Sequence, residues 1–454
     1  MLGAFKESVL PFLIYIVVWL TCVAALVRRG DLATYLYALL VPLPTIWYPT
    51  HFLPLASASL TLLMGSALIG PWFRKAPGEV MPPNSGFILL FVVANYLYLW
   101  NTTIRYDLPL PFTTDNPEFS YWRNFSTMVL CYLAAFYALR TQKQIQTFVM
   151  IVCGMLLFLS WRELVSFSAG VNFSYGHRAD GPFWLVGLNA NHFGAFIAHF
   201  SVLALGMFLV DRNTVRRNVY LMAFLVSLYP LFLSYSRGAY LAVVAGLIVM
   251  GLLRKRLLLF AVIVLLFAYQ ELLPASVVDR IQMTETATGT LESSAADRLF
   301  VWQLAKELFA QHPLIGIGFQ GFYFASEGLP LRNVHNFYLE TAAEEGIVGL
   351  ALLGVLFYKA LASGWYLFRQ SNSEPLRALG LGFIACTTAV MVTNVFGDRF
   401  TQIELGSYFF LLFGAVDRAR LLRSDAAAKP SAPVVLDSEV VRSPTRDGQL
   451  VLGR

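Results

Sequence analysis

Apolar runs of 16 to 23 residues, broken by short polar stretches, recur along almost the whole chain. A run of roughly 20 apolar residues is what a helix needs to cross the hydrocarbon core of a bilayer. The runs predict spans at 9–27, 32–50, 52–71, 86–102, 124–139, 144–162, 190–210, 217–235, 238–253, 257–273, 344–366, 377–395 and 403–417. Pro42, Pro44, Pro49 and Pro54 interrupt the 32–71 region. It reads as one span plus a re-entrant or interfacial piece, which gives about 12 spans. The fold class expected is all-α, a polytopic transmembrane helical bundle. It divides into transmembrane helices with short loops over 1–273, a large and partly helical loop at 274–343, further spans over 344–423, and a tail at 424–454. The tail is rich in Ala, Pro, Ser and charge, a composition that buries little apolar surface and predicts disorder.

The loops set an orientation. Phe73-Arg74-Lys75, Arg140 to Lys143, Asp211 to Arg217, Arg254-Lys255-Arg256, Arg369 to Arg377 and Asp417 to Arg423 are compact and basic, and they alternate with longer or less basic loops. The positive-inside rule puts the basic set, and the tail, in the cytoplasm. Loops 103–123, 163–189, 274–343 and 396–402 then face outward. The 274–343 loop holds four Lys/Arg against seven Asp/Glu. The N-terminal run reads as a first span and not as a cleaved signal, because no small-x-small cleavage site follows it.

Composition agrees: of 454 residues, 57% are hydrophobic and only 13% charged, about half the charge of a soluble domain. Cys22, Cys131, Cys153 and Cys386 lie in or beside apolar runs and read as small buried hydrophobes. The net charge of +6 is modest. The absence of a basic stripe interleaved with aromatics speaks against nucleic acid as a partner. Membrane lipids are the surroundings expected.

The candidate chemistry gathers at the outward end. Arg237, in "SYSRGAYL", occupies a tight turn between two apolar runs on the side where positive charge does not serve orientation. It is either a snorkelling arginine or one that meets an anion. Arg178 lies in the glycine-rich, aromatic outer loop "SYGHRADGPFWLVGLNANHF", as an ordinary loop charge or as part of a cavity lining. That loop ends in Asn189, Asn191 and His192 at a helix start. His192 reads as a structural or interfacial histidine.

Residues 295–310 predict an amphipathic helix on the membrane, with Arg298 in its first turn beside Asp297. His312, before Pro313, reads as the end of that helix. "GIGFQGF" has spaced glycines but no preceding strand, so a dinucleotide loop is rejected. "RNVHNFYLETAAEEGIVGL", 332–350, predicts a helix leading into the span at 344. His335, Leu339 and Ala342 would share one face of it, and Asn336, Glu340 and Glu344 the next. Outward arginines suit a diphosphate, since the guanidinium fork matches phosphate oxygens. A neutral imidazole suits acceptance of a proton from a sugar hydroxyl. The outer loops show no D-x-D and no His/Asp/Glu spacing that calls for a metal, and no cofactor is expected.

Three segments, "SYSRGAYL" at 234–241, "HPLIGIGFQGF" at 312–322 and "VHNFYLETAAEEGIVGL" at 334–350, together resemble the O-antigen ligase (WaaL) family, within the Wzy-C-like ligase and polymerase group. The resemblance covers about 175–395, and the first half only by topology. It implies a fold similar to the GT-C membrane glycosyltransferases. It implies transfer of a glycan from an undecaprenyl diphosphate donor to a lipid A–core acceptor. Transfer would take place at the periplasmic side of the bacterial inner membrane, metal-independent and inverting. The family's essential histidine matches His335. Its diphosphate-binding arginines match Arg178, Arg237 and, less closely, Arg298, with Asn336 and Asn189 in possible support. An O-antigen polymerase or a protein O-oligosaccharyltransferase of the same group is the alternative within the resemblance. A transporter is the alternative outside it, disfavoured because the middles of the spans hold almost no charge.

Overall fold

Without water to satisfy backbone polar groups, a long apolar chain closes its hydrogen bonds within helices. The computed structural model describes residues 2–43, 55, 58–73, 80–113, 115–167, 174, 176–283, 293–329 and 331–428. Among these the chain is all helical, with no named strand. The proline-interrupted stretch around 44–57 lies largely outside the described residues, and the expected disordered tail lies almost wholly outside them.

The first half comprises α1 (Leu2–Val27), α2 (Gly30–Leu40), α3 (Ser59–Phe73), α4 (Ser85–Arg105), α5 (Pro117–Ala138), α6 (Gln142–Ser166), α7 (Ala190–Val210) and α8 (Thr214–Leu233). The second comprises α9 (Arg237–Leu253), α10 (Leu257–Leu272), α11 (Ala275–Gln282), α12 (Ser293–Gln311), α13 (Gly321–Ala325), α14 (Phe337–Gln370), α15 (Glu374–Thr393) and α16 (Ile403–Ala428). Among the described residues α4, α6, α7, α14 and α15 are long and apolar enough to cross a membrane. The pair α10–α11, bent by 111°, makes a sixth if it is one broken span. Pro11–Val27, α3 and α9 are apolar but shorter. Among the described residues, then, five or six helices meet both length and composition, against about 12 spans read from apolar runs over the whole chain.

The centre of the bundle is α7 against α15. Gly206 and Gly382 let the two backbones touch, and a Cβ on either would overlap the other helix. Nε2 of His199 and Oγ1 of Thr393 form a 2.7 Å hydrogen bond inside that interface. Both are buried, so each satisfies a polar atom the other would otherwise strand. Around this pair pack α5 with α16, whose Tyr132, Phe409 and Phe413 rings fill the core.

The expected 332–350 helix starts later than its pattern suggests. Asn336 is the N-cap, its Oδ1 accepting from Tyr338 and Leu339 N–H at 3.1 Å. His335 precedes the helix with φ +54°, so it shares no helix face with Leu339 and Ala342, and Asn336 shares none with Glu340. An Asn side chain takes up the first unsatisfied N–H groups and stops helix growth backward. As expected, a helix leads into the long apolar run: α14 starts at Phe337 and continues to Gln370. It breaks at Gly346 (φ +66°), a backbone state that only glycine adopts without strain.

That break receives the "HPLIGIGFQGF" segment. Ile317 N donates to Ala343 O at 3.0 Å, Gly318 N to Glu344 O at 2.7 Å, and Ile347 N to Pro313 O at 2.8 Å. The Glu344 carboxylate accepts from the backbone N–H of Gln320 and Phe322, at 2.9 and 3.1 Å. Two of the three motifs are thus one packed unit. The helix expected at 295–310 is α12, ending at Gln311 as His312 suggested. One face of it is buried, Val301 and Ala305 packing with Phe322, Val334 and Ala343. Leu299 and Phe300 remain exposed.

Candidate functional site

Five elements bring arginines to one cavity of about 630 Å³. Arg178 comes from the loop after α6, and Arg237 is the first residue of α9. Arg280 comes from α11, which returns at 111° to α10, and Arg298 from α12. Arg399 comes from the loop between α15 and α16. Leu241, Leu299, Trp302 and Phe396 give the same cavity an apolar wall. No carboxylate stands among its described lining residues.

The local folds explain the placement. Tyr235 adopts φ +48° and anchors its hydroxyl on Ser276 at 3.0 Å, which turns the chain sharply from α8 into α9. Arg237 then opens α9, so its charge and the positive end of the helix dipole point to the same space. Its Nη1 donates to Met283 O at 3.1 Å. Arg178 is pinned by two acceptors: its Nε donates to Ser234 O at 2.8 Å and its Nη2 to Asn191 Oδ1 at 2.7 Å. Burial, with Arg280 nearby, pulls its pKa down to about 10, which leaves it charged at neutral pH. Arg399 is 5% exposed and also falls to about 10, chiefly through burial, with Asp398 opposing. Its Nη1 donates to His192 Nε2 at 2.7 Å.

A second cavity, of about 580 Å³, has a lining residue, Asp398, next in sequence to Arg399 of the first. His335 lines it, together with Glu340, Asp398, Glu404, Asn333, Tyr121 and Tyr323. Asp398 lines this cavity and Arg399, the next residue, lines the first. Asn333 builds the histidine's support. Its Oδ1 accepts from His335 N–H at 2.7 Å, and its Nδ2 donates to Asp398 Oδ2 at 2.9 Å. Trp302 of α12 donates to Val334 O at 2.9 Å, tying the helix that carries Arg298 to the histidine's segment. Burial, and then Arg298 and Arg399, push the His335 pKa below its ordinary value, while Asp398 pulls the other way. The imidazole is therefore neutral near pH 7, the form that accepts a proton.

Arg178, Arg237 and Arg298, singled out in the sequence, thus meet in one cavity, and His335 lines the second. Asn336 and Asn189 line neither; each caps a helix, α14 and α7, and Asn189 also holds His192 Nδ1 at 3.1 Å. Sequence reasoning missed Arg280 and Arg399 as members of the arginine set. Arg399 carried the same signal as Arg237, an arginine in a loop expected to face outward. It also missed Asp398, Asn333 and Glu404, polar residues whose partners come from distant segments.

Fold and site define a polytopic helical membrane protein with an arginine-lined cavity and a histidine-bearing one. Residues 222–354 match the family model Wzy_C, described as O-antigen ligase, in agreement with the resemblance carried by the three motifs. The match supports a function of the O-antigen ligase or polymerase type. It runs from α8 into α14 and includes Arg237, Arg280, Arg298 and His335. No curated protein matches the chain.

Proposed function

We propose that the chain is a glycosyltransferase that moves O-antigen polysaccharide from undecaprenyl diphosphate to lipid A–core oligosaccharide, at the periplasmic face of the inner membrane. The observation that carries this reading is the convergence of five arginines, from five separate elements, on one cavity with an apolar flank. A diphosphate on a lipid tail needs both. The guanidinium groups take its oxygens, and the wall of Leu241, Leu299, Trp302 and Phe396 suits the first isoprenyl carbons.

Chemistry then needs little more. The anomeric carbon–oxygen bond to phosphate breaks, and the bond to the acceptor oxygen forms on the opposite face. The leaving diphosphate keeps the electron pair, and the arginines stabilise its added charge. The acceptor hydroxyl gives its proton to the neutral His335 imidazole. Positioning two substrates in the two cavities supplies the rest.

The test is a gel of lipopolysaccharide from cells lacking this gene, with and without a plasmid copy. Bare lipid A–core, with long glycan left on the undecaprenyl carrier, supports the ligase. A single repeat unit on the core means that joining is intact and extension lost, which makes the protein a polymerase. An unchanged ladder rejects both and turns attention to protein glycosylation or transport.

A further inference from the structure

Five described residues other than glycine have positive φ: Leu55, Asp107, Tyr235, Gln320 and His335. Three of the five stand in the site. Tyr235 lines the arginine cavity, and Gln320 and His335 line the second. Left-handed backbone is unfavourable for any residue with a Cβ, and it persists at functional sites where the surroundings impose it. Tyr235 makes the turn into α9, and His335 carries the proposed base. Neither reason applies to Gln320.

Its backbone is held from outside. Gln320 has φ +59° and ψ +15° and precedes α13. Its N–H donates to one oxygen of the Glu344 carboxylate at 2.9 Å, and Phe322 N–H donates to the other at 3.1 Å. These contacts involve the main chain at 320 alone and place no demand on its side chain. Glycine would take the same φ without cost, as Gly316 and Gly318 do in the same segment. The turn therefore gives no reason for a Cβ at this position.

The side chain has no structural work either. Gln320 is half-buried, and among the described residues its carboxamide has no hydrogen-bond partner. Asn333, on the same cavity, spends its Oδ1 on His335 N–H and its Nδ2 on Asp398. The Gln320 amide keeps its donors and its acceptor for whatever enters. A carboxamide that donates and accepts matches a hydroxyl group, which does both.

We infer that Gln320 is a substrate-binding residue whose carboxamide holds a sugar hydroxyl in the cavity lined by His335, and that its left-handed backbone serves to aim the amide there. The role rests on the glycosyl-transfer reading above; the strained backbone and the unpartnered amide do not. The hydroxyl belongs to the glycan transferred or to the sugar that receives it, and the test separates the two.

The test compares full-length wild type with Gln320→Gly and Gln320→Ala. Both variants lack the amide, but only glycine relieves the left-handed strain. Gln320→Gly is expected to melt at or above Gln320→Ala, and both are expected to transfer glycan roughly tenfold or more slowly than wild type, the effect of one lost hydrogen bond in the transition state. Rate then follows the side chain while stability follows the backbone. A raised KM for the acceptor assigns the hydroxyl to the acceptor, and a raised KM for the donor assigns it to the glycan transferred. Wild-type rate in Gln320→Gly would overturn the inference, as would a lower melting temperature for Gln320→Gly than for Gln320→Ala. A rate lost in Gln320→Gly and kept in Gln320→Ala, the mark of a loosened turn, would overturn it too. The gene deletion tells the two failures apart. An unchanged lipopolysaccharide ladder in the deletion sinks the transfer reading and this role with it. A deletion defect that Gln320→Gly restores in full sinks only the role of Gln320.

Discussion

Arg399 and His192, 207 positions apart, meet through a 2.7 Å hydrogen bond from Nη1 to Nε2. A guanidinium can only donate, so Nε2 must offer its lone pair and the imidazole must be neutral. Its proton then sits on Nδ1, directed at Asn189 Oδ1. His192→Phe removes the acceptor from a buried guanidinium and is expected to cost about 1–3 kcal/mol. His192→Gln keeps an acceptor and should lose less. Thermal denaturation of the two purified variants checks the order, and a larger loss for His192→Gln would contradict it.

Each arginine of the first cavity is expected to matter for the rate. Arg237→Ala should raise the barrier by about 2–4 kcal/mol, by analogy with the loss of one oxyanion donor. Arg280→Ala and Arg399→Ala, which the sequence did not single out, should fall in the same range. Ligation of lipid-linked glycan to lipid A–core in membranes measures this. Wild-type rates for Arg237→Ala would remove it from the site.

The His335 pKa lies below its ordinary 6.5, by burial and by Arg298 and Arg399. The unfolded chain therefore takes up this proton first as the pH falls. The neutral imidazole's contribution to stability is complete above 6.5 and is lost as the pH drops toward the folded pKa. Activity that needs the neutral form should keep its acid limb below 6.5. Arg298→Gln should move that limb to higher pH and Asp398→Asn to lower pH. Rate profiles that do not move in opposite directions would refute the assignment of His335 as the base.

Gly318 has φ +102°, and a Cβ there would overlap the Thr102 hydroxyl. Gly318→Ala should destabilise the protein by about 1–3 kcal/mol through backbone strain alone. It contacts no substrate in the reading above, so surviving protein should bind pyrophosphate normally. Calorimetric titration would show a weakened affinity if "GIGFQGF" were itself a phosphate loop.

At the other end of the bundle the fully buried Asp417 accepts four hydrogen bonds. They come from Asn84 (2.7 Å), Tyr132 (2.6 Å), Ser363 (2.7 Å) and Arg420 (2.8 Å). These residues belong to or border α4, α5, α14 and α16. Asp417→Ala leaves four donors without their acceptor and is expected to cost about 3–5 kcal/mol. A marked fall of folded protein in membrane fractions is the expected result, and near-normal yield would show that the network is dispensable.

The all-α class was legible because hydrophobic run length follows from bilayer thickness and little else. The arginines were legible where the loop pattern put a positive charge on the side expected to face outward, as with Arg237. Arg280 was not, because its place depends on the bend between α10 and α11, which no local pattern announces. The start of α14 was misplaced for a similar reason. Helical spacing continues smoothly through His335 and Asn336, and only capping geometry shows that the helix begins one residue later. Glu344 looked like one member of an acidic face; its work, holding two backbone N–H groups of a neighbouring motif, is a long-range contact.

Asp398 and Arg399 are consecutive, yet each turns toward a different cavity. One peptide unit thus separates a lining residue of each cavity, and its register sets which of the two charges each cavity receives. Lengthening the 396–402 loop by one residue ahead of Asp398 would leave the composition nearly intact and rotate acid and base relative to their chambers. The length of this loop therefore matters more than its composition, like the spacing between two teeth of a gear.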